Sequence, residues 1–314
     1  MRKLALVFVV LAVAGCGSTQ HAADTHVSVM LDWTPNPDHI GLYQARADGQ
    51  FSKQGIDVAI HAPSDPTTPL KLVAAGKVDL AVSYEQEVFF AAAKKLPVEA
   101  VGAVVPVPLN SFMSIEPSVK TLADLRGKTV GITGVPSDDA TLKTAGLWGH
   151  VKVVNVGYSL VPALLSHRVD AVLGVYRNVE GIQVAQRGLH PTVIPVDRAG
   201  VPSYDELVLV ASKTRLADKA YADMVGRFLK AFAAGTADAR AHPASAIATL
   251  KKVTASPAKF LDAATPATLK LLTTTCLEVP AWQGFGYWMY TRGLLKHPLV
   301  ASTLATSRYC ANSS

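Results

Sequence analysis

Short apolar runs alternate with stretches of helical spacing along most of the chain. Val27 to Leu31 reads as an apolar strand, Asp38 to Ala47 sets Ile40, Tyr43 and Ala47 at helical spacing, and Ile56 to Ile60 alternates as a strand after a turn at Gly55. Pro69 opens a helix through Leu70, Leu72 and Val73, Gly76 ends it, and Asp79 to Ser83 reads as a buried strand. Further strands are predicted at Val98 to Val105, Lys128 to Thr133, Val151 to Val156, Asp170 to Val175 and Leu207 to Ala211. Such alternation predicts an α/β fold with largely parallel sheets, and a chain of 314 residues is expected to divide into two lobes, each a mostly parallel sheet flanked by helices. Beyond it the spacing turns helical, over Tyr221 to Ala239, Pro243 to Val253 and Pro257 to Leu277. A final segment carries Trp282, Phe285, Tyr287, Trp288 and Tyr290, a cluster that more often docks a helix onto its own domain than forms a binding surface.

A weak internal echo supports the two lobes. Ala75 to Tyr84 and Ser166 to Tyr176 share a basic residue, Val-Asp, an apolar strand and a closing tyrosine. Ligands of open α/β sheets sit beyond the carboxyl ends of strands, which places Tyr84 and Tyr176 where a ligand would meet both lobes.

The N-terminus changes the compartment. Met1-Arg2-Lys3 precedes an unbroken apolar run from Leu4 to Ala14, too short for the ~20 residues of a membrane-spanning helix, so residues 1–15 read as a secretory signal. Val13-Ala14-Gly15-Cys16 resembles the bacterial lipobox, which would make Cys16 a lipidated N-terminus on the outer face of the cell membrane. Residues 16–26, small and polar, suit a flexible tether. Outside the cytoplasm the remaining cysteines, Cys276 and Cys310, are free to pair. The formal charge of +6 is scattered and never interleaved with aromatics, which argues against nucleic acid as a partner.

Catalytic motifs are absent or broken. Gly127-Lys128-Thr129 imitates the end of a phosphate loop, but the leading Gly would fall at Leu122. No G-x-S-x-G, H-E-x-x-H or C-x-x-C occurs, and the 9 His are dispersed. Asp138-Asp139 stand at a predicted helix start, where carboxylates favour the positive end of the dipole. No catalytic residue, metal or cofactor is expected, and the chain is expected to be a monomer.

Asp32-Trp33-Thr34-Pro35-Asn36-Pro37-Asp38-His39-Ile40-Gly41-Leu42-Tyr43 packs a Trp, an Asn and two prolines between strand and helix, a stiff loop suited to walling a flat ligand. With Pro63-Ser64-Asp65-Pro66, Ala74 to Asp79, Ser83-Tyr84, Pro108 to Ser111, Leu125 to Gly131, Tyr176 to Glu180 and Val201 to Tyr204, it resembles the ThiY-type substrate-binding proteins of bacterial ABC transporters, over roughly residues 27 to 212. The resemblance implies a periplasmic-binding-protein-like fold with a helical C-terminal segment, closing around its ligand by hinge motion. Crossings near Asn110 and Tyr204 would give lobe one residues 27–110 and 205–314, and lobe two residues 111–204.

The function implied is binding of a thiamine pyrimidine precursor, of the formylaminopyrimidine or hydroxymethylpyrimidine class, and its delivery to ABC permease subunits. Trp33 and Tyr84 would pack on the ring, Asn36 would bond its polar edge, and Glu180 would accept from an exocyclic amine. His39, Tyr176, Asn178 and Tyr204 follow as further ligand candidates. From the residues alone, Asn36 equally suits an Asx turn preparing the helix at Asp38, and His39 a packing role in its first turn. Arg177 stands where relatives commonly carry Trp, and it is expected either to pair with Glu180 or to favour an anionic group. Riboflavin or a sulfonate is the alternative cargo, and a non-transport sensor the alternative role. A synthase like the fungal thiamine-pyrimidine enzyme would need a Cys-rich iron site, which cysteines at 16, 276 and 310 do not supply.

Overall fold

The computed structural model describes residues 25–310. The predicted signal, the lipidation site Cys16 and most of the tether lie outside the described residues; Thr25 and His26 already belong to the first strand.

Two five-stranded sheets form the lobes. In chain order, lobe one contains β1 (Thr25–Met30), α1 (Ile40–Ala47), β2 (Ile56–His61), α2 (Thr68–Ala74), β3 (Leu80–Ser83), α3 (Glu85–Ala93) and β4 (Val98–Val105). Lobe two follows with β5 (Asn110–Ser114), β6 (Thr129–Ile132), α4 (Pro136–Thr144), β7 (Lys152–Asn155), α5 (Leu160–Leu165), β8 (Ala171–Tyr176), α6 (Glu180–Ala185) and β9 (Thr192–Pro195). The chain then returns through β10 (Leu207–Ser212) to α7 (Lys219–Ala241), α8 (Pro243–Val253), α9 (Ala258–Leu269) and α10 (Val279–Thr291).

The sheets run β2-β1-β3-β10-β4 and β7-β6-β8-β5-β9. Pairing is parallel where the alternating pattern predicts it, in β2-β1-β3 and β7-β6-β8, and antiparallel around β10 and β5, where the chain has switched lobes. The chain crosses from one sheet to the other between Val105 and Asn110 and returns between Pro195 and Leu207.

The internal echo is structural. Gly76 and His167 occupy matching left-handed turns (φ 66° and 54°) before β3 and β8. His167 does so despite its Cβ, at the cost such a turn carries for a non-glycine residue. Asp79 accepts from the Ser28 backbone N–H (2.8 Å) and Asp170 from that of Thr129 (2.7 Å), so in each lobe the carboxylate pins the adjoining parallel strand just ahead of where the two strands begin to pair.

The lobe-one core lies between its sheet and α7, whose apolar face packs on α1. Their approach is too close for side chains at the crossing: a Cβ on Gly235 would stand 2.4 Å from the Ala45 backbone nitrogen. The aromatic segment is α10, docked through buried Trp282 and Phe285, with Tyr287 and Tyr290 left exposed. The helix predicted to Leu277 stops at Leu269, ahead of the β-branched run Thr273-Thr274-Thr275. Cys276 therefore sits in the following loop, where its disulfide to Cys310 (Cα–Cα 5.3 Å) ties loop to tail. Among the described residues no helix is long and apolar enough to cross a membrane.

Candidate functional site

The loop from Asp32 to His39 leaves the carboxyl end of β1 and forms one side of the cleft. Asn36, extended at φ −150°, caps the short 3-10 turn Pro37–His39: its carboxamide oxygen accepts from the Asp38 N–H (2.8 Å). Its amide nitrogen donates to the Thr34 carbonyl (3.1 Å). The Asn36 N–H reaches His39 Nδ1 (3.4 Å), which leaves Nε2 to carry the ring proton and donate to Asp32 Oδ1 (2.7 Å). Asp32 Oδ2 accepts from the Tyr84 hydroxyl (3.2 Å). Asp32 is thus a buried hub that fixes the loop and aims Tyr84.

Lobe two answers with Tyr158, on the turn after β7. Its hydroxyl crosses the cleft to the Asp32 carbonyl (2.6 Å), and its ring stacks on Trp33 with centroids 6.3 Å apart and planes 28° from parallel. Behind it, Glu180 at the start of α6 accepts from the Tyr176 N–H (2.9 Å). Burial pushes the Glu180 carboxyl up to about 8.

Two cavities adjoin along this seam. The larger, about 240 Å³, is lined by Trp33, Asn36, Tyr158, Glu180, Gln183 and Arg187, with Ser256 from the loop between α8 and α9 and Phe260 from α9. The smaller, about 30 Å³, is lined by Asp32, Trp33, Tyr84, Tyr158, Tyr176 and Glu180. Trp33, Tyr158 and Glu180 border both, so the stacked pair partitions a single inter-lobe site.

Five of the eight candidate ligand residues therefore meet at this site: Trp33, Asn36, Tyr84, Tyr176 and Glu180. His39 is fully buried behind the loop it braces. Asn178 turns away from both cavities, donating to Asp38 Oδ1 (2.6 Å) and Thr268 Oγ1 (2.8 Å) as a contact between lobes. Tyr204 stands on the return crossing, packed on Phe285 and donating to Glu206 Oε2 (2.9 Å). Arg177 does not approach Glu180 as an ion pair; its guanidinium donates to the Pro108 carbonyl and it lines a shallow surface depression. The chain reversal through Asn178 and Val179 before α6 separates the two side chains.

Tyr158, Asp32, Gln183 and Arg187 escaped the sequence reading. Asp32 opened the diagnostic loop, and Tyr158 follows a Gly turn at a strand's carboxyl end, where ligand groups gather. Gln183 and Arg187 carry no such signal beyond helical spacing from Glu180.

Other buried carboxyls bind the lobes together. Glu87 of α3 accepts from the Ser137 N–H at the start of α4 (2.9 Å), and burial raises it to about 7. Glu206 bridges the two crossings, accepting from the N–H groups of Leu109 (2.6 Å) and Asn110 (2.8 Å), and burial raises it to about 7. Asp38 is raised to about 6, again by burial. Asp138 is explained structurally: it accepts from the Thr133 hydroxyl (2.7 Å) and the Gly134 N–H (2.8 Å). Among the described residues no group of three or more His, Cys, Asp or Glu gathers to hold a metal ion.

A solved structure, the periplasmic aliphatic sulphonate binding protein SsuA from Escherichia coli, superposes with a TM-score of 0.68 at 17% identity, covering 88% of this chain and 96% of that one. The fold is that of the periplasmic binding proteins. The chain is 42% identical over 227 residues to a thiamine biosynthesis protein of Haemophilus influenzae, covering 70% of this chain and 71% of that one. It is 40% identical over 236 residues to the formylaminopyrimidine-binding protein of Halalkalibacterium halodurans, covering 73% and 69%. A family model described as NMT1/THI5 like matches residues 36–246, and on this match and these identities the chain belongs to the NMT1/THI5-like family.

Proposed function

We propose that the chain is the solute-binding component of an ABC importer, held by a lipid on Cys16 at the outer face of the cell membrane, and that it binds a thiamine pyrimidine precursor between its lobes. The ligand belongs to the formylaminopyrimidine or hydroxymethylpyrimidine class and passes to permease subunits unchanged. In this reading the chain performs no chemistry of its own.

One observation carries the reading: Trp33 of lobe one and Glu180 of lobe two bound the same cavity of about 240 Å³. That volume lies below the ~300–1,000 Å³ of drug-sized sites and suits a single ring better than the three fused rings of a flavin. Trp33 and Tyr158, stacked with centroids 6.3 Å apart, present one joint aromatic wall against which a ring in the cavity packs.

Glu180 then supplies selectivity. A carboxyl raised to about 8 keeps its proton at neutral pH. It can donate that proton to a ring nitrogen while accepting from the adjacent exocyclic amine, a two-point match that a plain aromatic lacks. Because Glu180 belongs to lobe two and Trp33 to lobe one, a ligand touching both favours the closed form by its differential affinity. A permease that reads the closed shape would thereby be told that cargo is aboard.

The test is calorimetric titration of the protein freed of its leader, beginning at Gly17, with formylaminopyrimidine, hydroxymethylpyrimidine, thiamine, riboflavin and an alkyl sulfonate. Sub-micromolar binding of an aminopyrimidine, with riboflavin and sulfonate at least ~100-fold weaker, is the expected result. Tight binding of riboflavin or the sulfonate alone would overturn the ligand assignment.

A further inference from the structure

Glu180, Gln183 and Arg187 form a stripe along one wall of the larger cavity. Their spacing of three and four residues places them on one helical face, and the winding continues past the end of α6: the Gln186 N–H reaches the Ile182 carbonyl (2.9 Å) and the Arg187 N–H that of Val184 (3.1 Å). Glu180 is buried, Gln183 half-buried and Arg187 exposed, so the stripe runs from floor to mouth. Ser256 faces it across the opening.

The neighbouring donors are already engaged. Gln186 gives its amide to the Lys259 carbonyl (3.0 Å), and Arg177 its guanidinium to the Pro108 carbonyl. Gln183 and Arg187, by contrast, make no side-chain hydrogen bond and no ion pair among the described residues, although both line the cavity. A pyrimidine ring paired with Glu180 fills the inner end and leaves these donors addressed to whatever projects outward from the ring.

We propose that Arg187, with Gln183, is the specificity-determining pair that recognises an acceptor oxygen on the ring substituent directed towards the cavity mouth. The inference rests on the aminopyrimidine reading above. The Arg187 guanidinium only donates and repels a bare ammonium, and the Gln183 carboxamide, which can donate or accept, turns its NH₂ to the same acceptor beside it. The preferred substituent therefore ends in a carbonyl or an anionic oxygen rather than in an amine or a methyl group.

Three probes sharing the aminopyrimidine ring separate the cases: 4-amino-2,5-dimethylpyrimidine, which has no oxygen; formylaminopyrimidine, with a neutral carbonyl; and phosphorylated hydroxymethylpyrimidine, with an anion. Each is titrated into the wild type, Arg187→Met and Gln183→Leu. The wild type is expected to bind at least one oxygen-bearing probe ~10- to 100-fold more tightly than the dimethyl compound. Arg187→Met should lose most of that preference, with the dimethyl compound weakened less than about threefold, which also reports an intact fold. Whichever probe gains most names the oxygen as carbonyl or anion. Equal binding of all three probes by the wild type, or a preference that survives both substitutions, would overturn this inference alone. Failure of every aminopyrimidine to bind the wild type would instead overturn the reading beneath it, and this inference with it.

Discussion

The two walls of the cleft are built from the same supersecondary unit and spend their polar groups in opposite ways. In lobe one the Asp32–His39 loop is closed on itself: Asn36, His39 and Asp32 bond one another and Tyr84 before any ligand arrives. In lobe two, Glu180 is held by a single backbone N–H, Tyr158 bonds only across the cleft, and Gln183 and Arg187 bond nothing among the described residues. Lobe one is a preorganised platform, whose rigidity lowers the ordering cost of binding. Lobe two carries polar groups left free to meet a ligand, and under the proposed function these choose it while the lobe-one loop supplies the platform.

Substitutions break this contrast in graded fashion. Glu180→Leu removes the two-point partner and is expected to weaken aminopyrimidine binding about 100-fold, some 2.7 kcal/mol, in a calorimetric titration. Glu180→Gln keeps a donor and an acceptor and should stay within about tenfold of wild type. It should also lose the decline in affinity that the wild type shows as pH rises through about 8, where Glu180 gives up its proton.

Asp32→Ala strikes the platform and should act on stability first. It strands the His39 Nε2–H and the Tyr84 hydroxyl, at a cost of roughly 2 kcal/mol. Calorimetry should record a drop in Tm of about 4–8 °C without ligand. A Tm within about 1 °C of wild type would remove Asp32 from its place as hub.

Tyr158→Phe keeps the stack on Trp33 and deletes the bond to the Asp32 carbonyl. Its expected cost is about 1 kcal/mol on closure, hence roughly fivefold weaker binding. A fall in Tm without a change in affinity would make Tyr158 a structural residue instead.

The pH dependence of stability tests the contact between the lobes as a whole. Glu180, Glu87, Glu206 and Asp38 all sit above their ordinary values through burial, at about 8, 7, 7 and 6. The folded, closed protein therefore holds more protons than the unfolded chain above the usual carboxyl range. Their contribution is fully present below about pH 4 and is lost as pH rises through 6 to 8. Asp79, lowered by its bonds to Ser28 and its pair with Arg215, acts only at more acid pH. Tm without ligand should fall between pH 5.5 and 8.5, and Glu87→Gln should flatten part of that slope. A Tm that rises over this interval would contradict the assignment of these groups to a closed, dry interface.

Much of the fold was legible because burial on both faces leaves near-continuous apolar runs in β3, β8 and β10, while β1 alternates buried Val27 and Val29 with less buried neighbours. Strands β5 and β9 were not. Ser111 and Ser114 interrupt β5, and their hydroxyls find carbonyl partners at Leu109 and Asp170 that no local pattern reveals. β9 is half-buried throughout and lies at a sheet edge. Within the site, Trp33, Tyr84 and Glu180 were legible through motif and position, whereas Tyr158 depends on closure of one lobe onto the other. Asn178 and Tyr204 were drawn into the ligand set by their neighbours in sequence. One is a latch between lobes and the other a part of the return crossing, and only the three-dimensional path of the chain distinguishes these places from the cavity wall.

The most direct test is a crystal structure of the protein with formylaminopyrimidine. The account predicts the ring within ~3.5–4 Å of the Trp33 indole, and a Glu180 oxygen within ~3.2 Å of the exocyclic amine, with the lobes closed. A ligand lodged outside the Trp33–Tyr158–Glu180 cavity, or seated there with Glu180 touching no polar atom of it, would contradict the central claim.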